Sequence, residues 1–123
     1  MKLRLSTLPK TWILDLDGLL VAHNGHKAGG DRLLPGVKSF WGTIGASDVV
    51  ILLTARTAEH EPAIREFFAV HGLRLNHVIP GCPVGERILF NDDKPSGLRM
   101  AHAVGLPRDA GLDSFSLQLD ATL

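Results

Sequence analysis

Apolar residues along the chain alternate between short continuous runs and helically spaced stripes. Thr11 to Asp15 (TWILD) is an apolar run that reads as a buried strand with a carboxylate at its end. Val49 to Leu53 (VVILL) is a continuous apolar run between polar residues, the pattern of a strand covered on both faces. His77 to Ile79 makes a short third strand, and Arg87 to Phe90 (RILF) a fourth that runs into NDDKP. Phe115, Leu117 and Leu119 alternate with polar residues, as on a half-exposed edge strand.

Helical spacing fills the gaps. Val37, Phe40, Trp41 and Ile44 fall at i, i+3, i+4 and i+7, with Pro35 suited to the first turn and Gly45 to the stop. Ile64, Phe67, Phe68 and His71 repeat the spacing before Gly72. Ser96 is placed to cap a helix carrying Leu98, Ala101 and His102, ending at Gly105. Val21 to Asp31 (VAHNGHKAGGD) is polar and glycine-rich, a flexible loop or small hairpin. Strands alternating with helices predict an α/β fold, a parallel sheet with helices on both faces and right-handed crossovers. Ligands of such sheets bind beyond the carboxyl ends of the strands, where Asp15, Thr54 and Asp92 all fall.

Composition narrows the class without naming a chemistry. At 123 residues the chain fits one domain, 1–123, and its 45% hydrophobic and 21% charged residues are those of an ordinary soluble globular protein. Thirteen basic residues balance thirteen acidic ones, so no charge excess advertises nucleic acid. The single cysteine, Cys82, excludes an internal disulfide framework and fits a reducing compartment. No apolar stretch of signal-peptide length follows Lys2, Arg4 and Lys10, and no run reaches transmembrane length. A soluble cytoplasmic domain is the expectation.

The chemistry concentrates in WILDLDGLL, Trp12 to Leu20. Asp15 and Asp17 are two residues apart at a strand's end, where both carboxylates can converge on one point. Buried carboxylates are costly unless paired or bound to a metal. A hard cation with oxygen ligands, such as Mg²⁺, would relieve their repulsion, and a further carboxylate from NDD would complete an anionic pocket.

DLDGLL resembles the first motif of the haloacid dehalogenase-like phosphatases, Asp-x-Asp-Gly-Thr followed by Leu or Val. VVILLTAR is similar to their second motif, an apolar strand ending in Thr or Ser, and RILFNDDKP to the third and fourth. The ordered set spans Trp12 to Pro95. LLPGV, LLTAR and GERILFNDDKP further resemble small, capless members associated with surface-polysaccharide and sugar-nucleotide pathways.

The resemblance implies a three-layer Rossmann-like sheet of about five strands in the order 3-2-1-4-5, without a large cap domain. It implies Asp15 as a nucleophile forming an aspartyl-phosphate, and Asp17 as general acid and then base, its carbonyl on the metal. Thr54 would donate its hydroxyl to the phosphoryl group. Asp92 would complete a magnesium site with Asp15 and Asp17, and Asp93 would serve as a metal or water ligand. Either Arg87 or Lys94 would supply the neutralising cation. Gly18 would contribute to substrate binding. Arg56 either reaches the substrate as a forked guanidinium or stands solvated at a helix start.

Leu19 departs from the pattern, which has Thr there, and removes a hydroxyl from the loop beside Asp17. The implied activity is a magnesium-dependent phosphomonoesterase acting on a sugar phosphate, a nucleotide-sugar intermediate or a larger phosphorylated molecule. Its open site would be covered, if at all, by the Val21 to Asp31 flap or by a partner in a homo-oligomer. A nucleic-acid end phosphatase and a non-catalytic phosphate- or metal-binding module are the alternatives. The neutral charge speaks against the former, and Leu19 favours the latter.

The remaining signals read as structural. His23 and His26 sit in a polar loop and read as a solvated pair, His60 as a surface residue, and His71 as packed on its helix. Cys82 lacks a metal-binding pattern. Gly29 and Gly30 lack the ending of a phosphate-binding loop. Phe40, Trp41, Phe67 and Phe68 fall on helical core faces, so they make no base-stacking platform. Membrane partners are not expected.

Overall fold

The computed structural model describes residues 1–27 and 29–123. In chain order its regular elements are β1 (Lys2–Leu5), β2 (Thr11–Asp15), α1 (Val37–Trp41), β3 (Val49–Leu53), α2 (Glu61–Val70), β4 (His77–Ile79) and β5 (Ser116–Leu119). The fold is α/β with parallel strands, as the alternating pattern predicts. The strands divide into two sheets, one of three strands in the order β2-β3-β4 and one pairing β1 with β5.

The three-stranded sheet grows from its apolar centre. In β3 the branched and apolar side chains of Val50 and Leu52 are fully buried. Register places Trp12 beside Val50, and Leu14 beside Leu52, which in turn neighbours Val78. These residues share one face of the sheet. Against it pack Val37, Phe40 and Trp41 of α1 and Ile64 and Phe68 of α2, joined by Leu16, Leu20, Val21 and Leu34. Trp41 and Phe68 bring the two helices together with ring centroids 5.6 Å apart. The indole N–H of Trp41 donates to the carbonyl of Arg74 at 2.9 Å.

The opposite face departs from expectation. Ile13, Ile51 and His77 stand in one row and Asp15, Leu53 and Ile79 in the next. Ile13 and Ile79 are about half exposed. Helices therefore cover one face of this sheet, and Asp15 belongs to the open one.

Two elements anticipated between Gly85 and Gly105 do not form. Arg87–Phe90 has no regular structure and lies outside both sheets, with Ile88 and Phe90 77% and 92% exposed, so the order 3-2-1-4-5 stops after its first three strands. RILF has the composition of a strand, but among the described residues no helix lies over the open face to give those side chains a core. The Ser96–Gly105 stretch is non-helical. Gly97 has φ +91°, outside the helical range, and its N–H donates to the carbonyl of Lys94 in a tight turn.

β5 pairs instead with β1, a strand at Lys2–Leu5 that the sequence reading leaves unassigned. Arg4 Nε donates to Asp120 at 2.7 Å beside that pair. No helix among the described residues is long and apolar enough to cross a membrane.

Candidate functional site

Parallel register aligns the ends of the three strands, with Asp15 beside Leu53 and Leu53 beside Ile79. Every group of the site hangs from that edge or from the loops leaving it. After Asp15 the chain turns at Gly18, whose φ of +84° suits a residue without a Cβ. The Gly18 N–H donates to Val21 at 2.7 Å and its carbonyl accepts from Asp109 at 2.8 Å, so the turn carrying Asp17 is fixed at both ends. Leu19 packs against the core from this turn.

The Val21–Asp31 loop is a hairpin at its base. Val21 bridges antiparallel to Leu33, and the Ala22 N–H donates to Arg32. Gly25–Lys27 makes a 3-10 turn, and Ala28 lies outside the described residues. This arrangement returns Asp31 and His26 to the strand ends.

Arg56 organises the centre. It follows β3 by three residues and is 8% exposed. Its Nε and Nη2 donate to the two oxygens of Asp17 at 3.0 and 2.7 Å. Its Nη1 and Nη2 donate to those of Asp31 at 2.9 and 2.8 Å. A planar guanidinium with two carboxylates in fork geometry is the strongest form of such a pair. Burial works against the charge, but the hydrogen bonds that Arg56 donates to Asp31 and Asp17 outweigh that and raise its pKa above the usual arginine value. Arg56 is therefore an internal clamp between Asp17 and Asp31 rather than a solvated residue at a helix start.

Thr54 and His26 complete the surroundings. Thr54 is 1% exposed, and its hydroxyl oxygen accepts from the Arg56 backbone N–H at 3.0 Å. The loops after β3 and β4 are stitched to each other, Gly81 N–H donating to Arg56 and Cys82 N–H to Thr54. His26 is drawn in rather than solvated. Its Nδ1 is buried without a hydrogen-bond partner and lies 4.0 Å from Asp17, and its ring meets that of His60 edge-on at 5.5 Å. Burial first, and the charge of Arg56 second, hold its pKa below the usual imidazole value against the pull of Asp17 and Asp31.

Asp15 stands apart from this cluster. Its side chain is 53% exposed, and Arg87 Nη2 lies 4.0 Å from its carboxylate. Arg87 is steadied by its Nη1, which donates to the carbonyls of Pro83 and Gly85 at 2.8 and 2.9 Å. Of the two cations considered for this position, Arg87 is the one at Asp15.

Asp92, Asp93 and Lys94 sit on the exposed segment. There the Asp92 carbonyl accepts from Asn91, Asp93 Oδ1 accepts from the Met100 N–H, and the Lys94 N–H donates to Leu98. Among the described residues, no three of Asp15, Asp17, Asp92 and Asp93 bring ligand oxygens within 4.8 Å of one another, and no strand carries the last two toward the sheet. Asp17 also has both oxygens committed to Arg56. The donors present do not fit the magnesium site that the family resemblance implies.

Among the described residues, the His and carboxylate side chains that do converge are Asp17, His26 and Asp31, with ligand atoms within 4.8 Å of one another. Sequence reasoning missed Asp31 and the inward place of His26. The available signal was local: one acid and two histidines in a glycine-rich loop directly after a motif of two aspartates. Comparison of the chain with family models, with curated proteins and with solved structures returned no match.

Proposed function

We propose that the chain is a phosphomonoesterase of the haloacid dehalogenase-like kind, with Asp15 as its nucleophile. The observation that carries this reading is the exposed Asp15 carboxylate at a strand's carboxyl end with the Arg87 guanidinium 4.0 Å away. In this reading the exposed Asp15 carboxylate is accessible to an incoming ester and attacks its phosphorus, and the adjacent forked cation offsets the charge of the arriving phosphoryl oxygens. Attack by an Asp15 oxygen forms a P–O bond and breaks the ester P–O bond, so the alcohol leaves as it takes a proton. Water then attacks the aspartyl-phosphate, releasing inorganic phosphate and restoring the carboxylate.

In this reading Asp17 serves the proton transfers, and the Arg56 fork fixes the direction its carboxylate faces. The open sheet edge suits a sugar phosphate or a larger phosphorylated molecule. A panel of phosphate esters, with and without magnesium, tests the reading on the wild type and Asp15→Asn. Hydrolysis by the wild type with a loss of about a hundredfold or more in the variant is expected. Equal hydrolysis by both proteins contradicts it. Phosphate binding without any hydrolysis supports the alternative of a non-catalytic binding module, which the commitment of Asp17 to Arg56 favours.

A further inference from the structure

Carboxylates gathered at a strand end require a cation, and this chain carries one of its own. Arg56 makes four hydrogen bonds to Asp17 and Asp31, between 2.7 and 3.0 Å, from a side chain only 5% exposed. The same two carboxylates, with His26, form a donor set suited to zinc: two carboxylate oxygens and an imidazole nitrogen within 4.8 Å of one another. Tetrahedral zinc with bonds of about 2.0–2.1 Å holds its donors on the order of 3.3 Å apart, a short closure from the observed spacing. His26 Nδ1, buried and without a hydrogen-bond partner, faces Asp17 from 4.0 Å.

What stands in the way is the guanidinium. It already covers the carboxylate oxygens that a metal would need, and deprotonation does not remove its charge at any ordinary pH. An incoming divalent ion would meet a like charge at hydrogen-bond distance from its own ligands.

We infer that Arg56 is the resident cation of the Asp17, His26 and Asp31 cluster and excludes a divalent metal from it. The cluster is a metal site in its ligands and an ion triad in its occupancy. This inference does not rest on the phosphomonoesterase reading, and its test reads metal binding rather than turnover.

The full-length chain is freed of metal with a chelator and titrated with zinc alone, and separately with cobalt as a spectroscopic stand-in. Wild type, Arg56→Met and the double variant Arg56→Met with His26→Ala are compared. The wild type is expected to show no cobalt absorption band and no zinc-dependent rise in melting temperature. Arg56→Met is expected to bind zinc at least about tenfold more tightly than the wild type. At zinc near one hundred times its Kd, melting should rise by roughly 5 °C or more. Adding His26→Ala should abolish the gain.

The inference is overturned if the wild type binds zinc as tightly as Arg56→Met and loses it on His26→Ala. It is also overturned if a folded Arg56→Met binds no better than the wild type. Should Arg56→Met be unfolded without metal, recovery of its helical circular dichroism on adding zinc supports the inference. Arg56→Gln, which keeps hydrogen-bond donors without charge, is measured alongside. Failure of both variants to fold with zinc present shows that metal cannot replace the guanidinium and overturns the latent site.

Discussion

Asp48 offers the most direct check on how the edge bearing the site is held in register. It sits one residue before β3 and is buried at 8% exposure. Its Oδ1 accepts from the Lys10 N–H at 2.9 Å, and its Oδ2 accepts from the Trp12 indole and the Gly45 N–H, each at 2.9 Å. Lys10 and Trp12 lie at the start of β2, so one carboxylate ties the amino ends of both strands whose far ends carry Asp15 and Thr54. Asp48→Ala leaves three donors without an acceptor. At roughly 1 kcal/mol per lost bond, with part of the penalty relieved by water, the cost is about 3 kcal/mol. For a chain of this length that lowers the melting temperature by on the order of 10 °C.

Asp48→Asn keeps one oxygen but turns an amide N–H₂ toward a donor, and should cost about half as much. Burial pushes the Asp48 pKa up, but the hydrogen bonds from Trp12, Lys10 and Gly45 outweigh it and hold it below the ordinary 3.8. A carboxyl with a lowered folded pKa contributes stability above its unfolded pKa, and that contribution disappears as pH falls through the folded value. The gap between wild type and Asp48→Ala should therefore be full at neutral pH and shrink below 3.8. Urea denaturation followed by tryptophan fluorescence and far-ultraviolet circular dichroism measures both quantities. A gap under about 1 kcal/mol at neutral pH, or one that does not narrow in acid, would refute the reasoning.

Other perturbations separate the site from the scaffold. Arg87→Ala should lower phosphomonoesterase kcat/KM by about a hundredfold, with stability within about 0.5 kcal/mol of wild type, because Arg87 is exposed and reaches Asp15 only at 4.0 Å; steady-state kinetics and urea melts on the same samples decide. Phe68→Ala removes a ring that is 1% exposed at the meeting of the two helices, and should cost about 3–5 kcal/mol by urea denaturation. Leu19→Thr restores a hydroxyl beside Asp17 at the loss of a partly buried apolar contact. It should raise turnover while costing about 1 kcal/mol, and an unchanged rate in the folded variant would show that Leu19 is compensated elsewhere.

Much of the central sheet was legible because its signals are local. VVILL has the length and branching of a buried strand, and the stripe Ile64, Phe67, Phe68 falls inside α2, three residues from its start and two from its end. β1 was legible but passed over, since Lys2, Leu3, Arg4 and Leu5 alternate as an edge strand does. RILF misled for the opposite reason. Its composition is that of a strand, but whether a strand forms depends on a partner edge and a covering layer, which composition does not encode.

The site divides along the same line. Asp15, Asp17 and Thr54 follow from their strand ends. The Arg56–Asp31 clamp joins residues 25 positions apart through a loop, and nothing local in either residue names the other. The neighbours of Arg56 in sequence are compatible with either a solvated or a substrate-facing side chain. The bond geometry shows a third use, an internal counter-ion that holds the loop and the Gly18 turn together.

The central claim is that Asp15 attacks phosphorus, and trapping the intermediate tests it most directly. The full-length protein is mixed with an ester it hydrolyses, quenched in acid within the first turnover, digested and analysed by mass spectrometry. The account predicts a phosphoryl adduct on the peptide containing Asp15, absent from the Asp15→Asn variant and lost on mild alkaline treatment, as an acyl phosphate is. Hydrolysis that proceeds with no adduct at Asp15, or with the adduct on another residue, would contradict it.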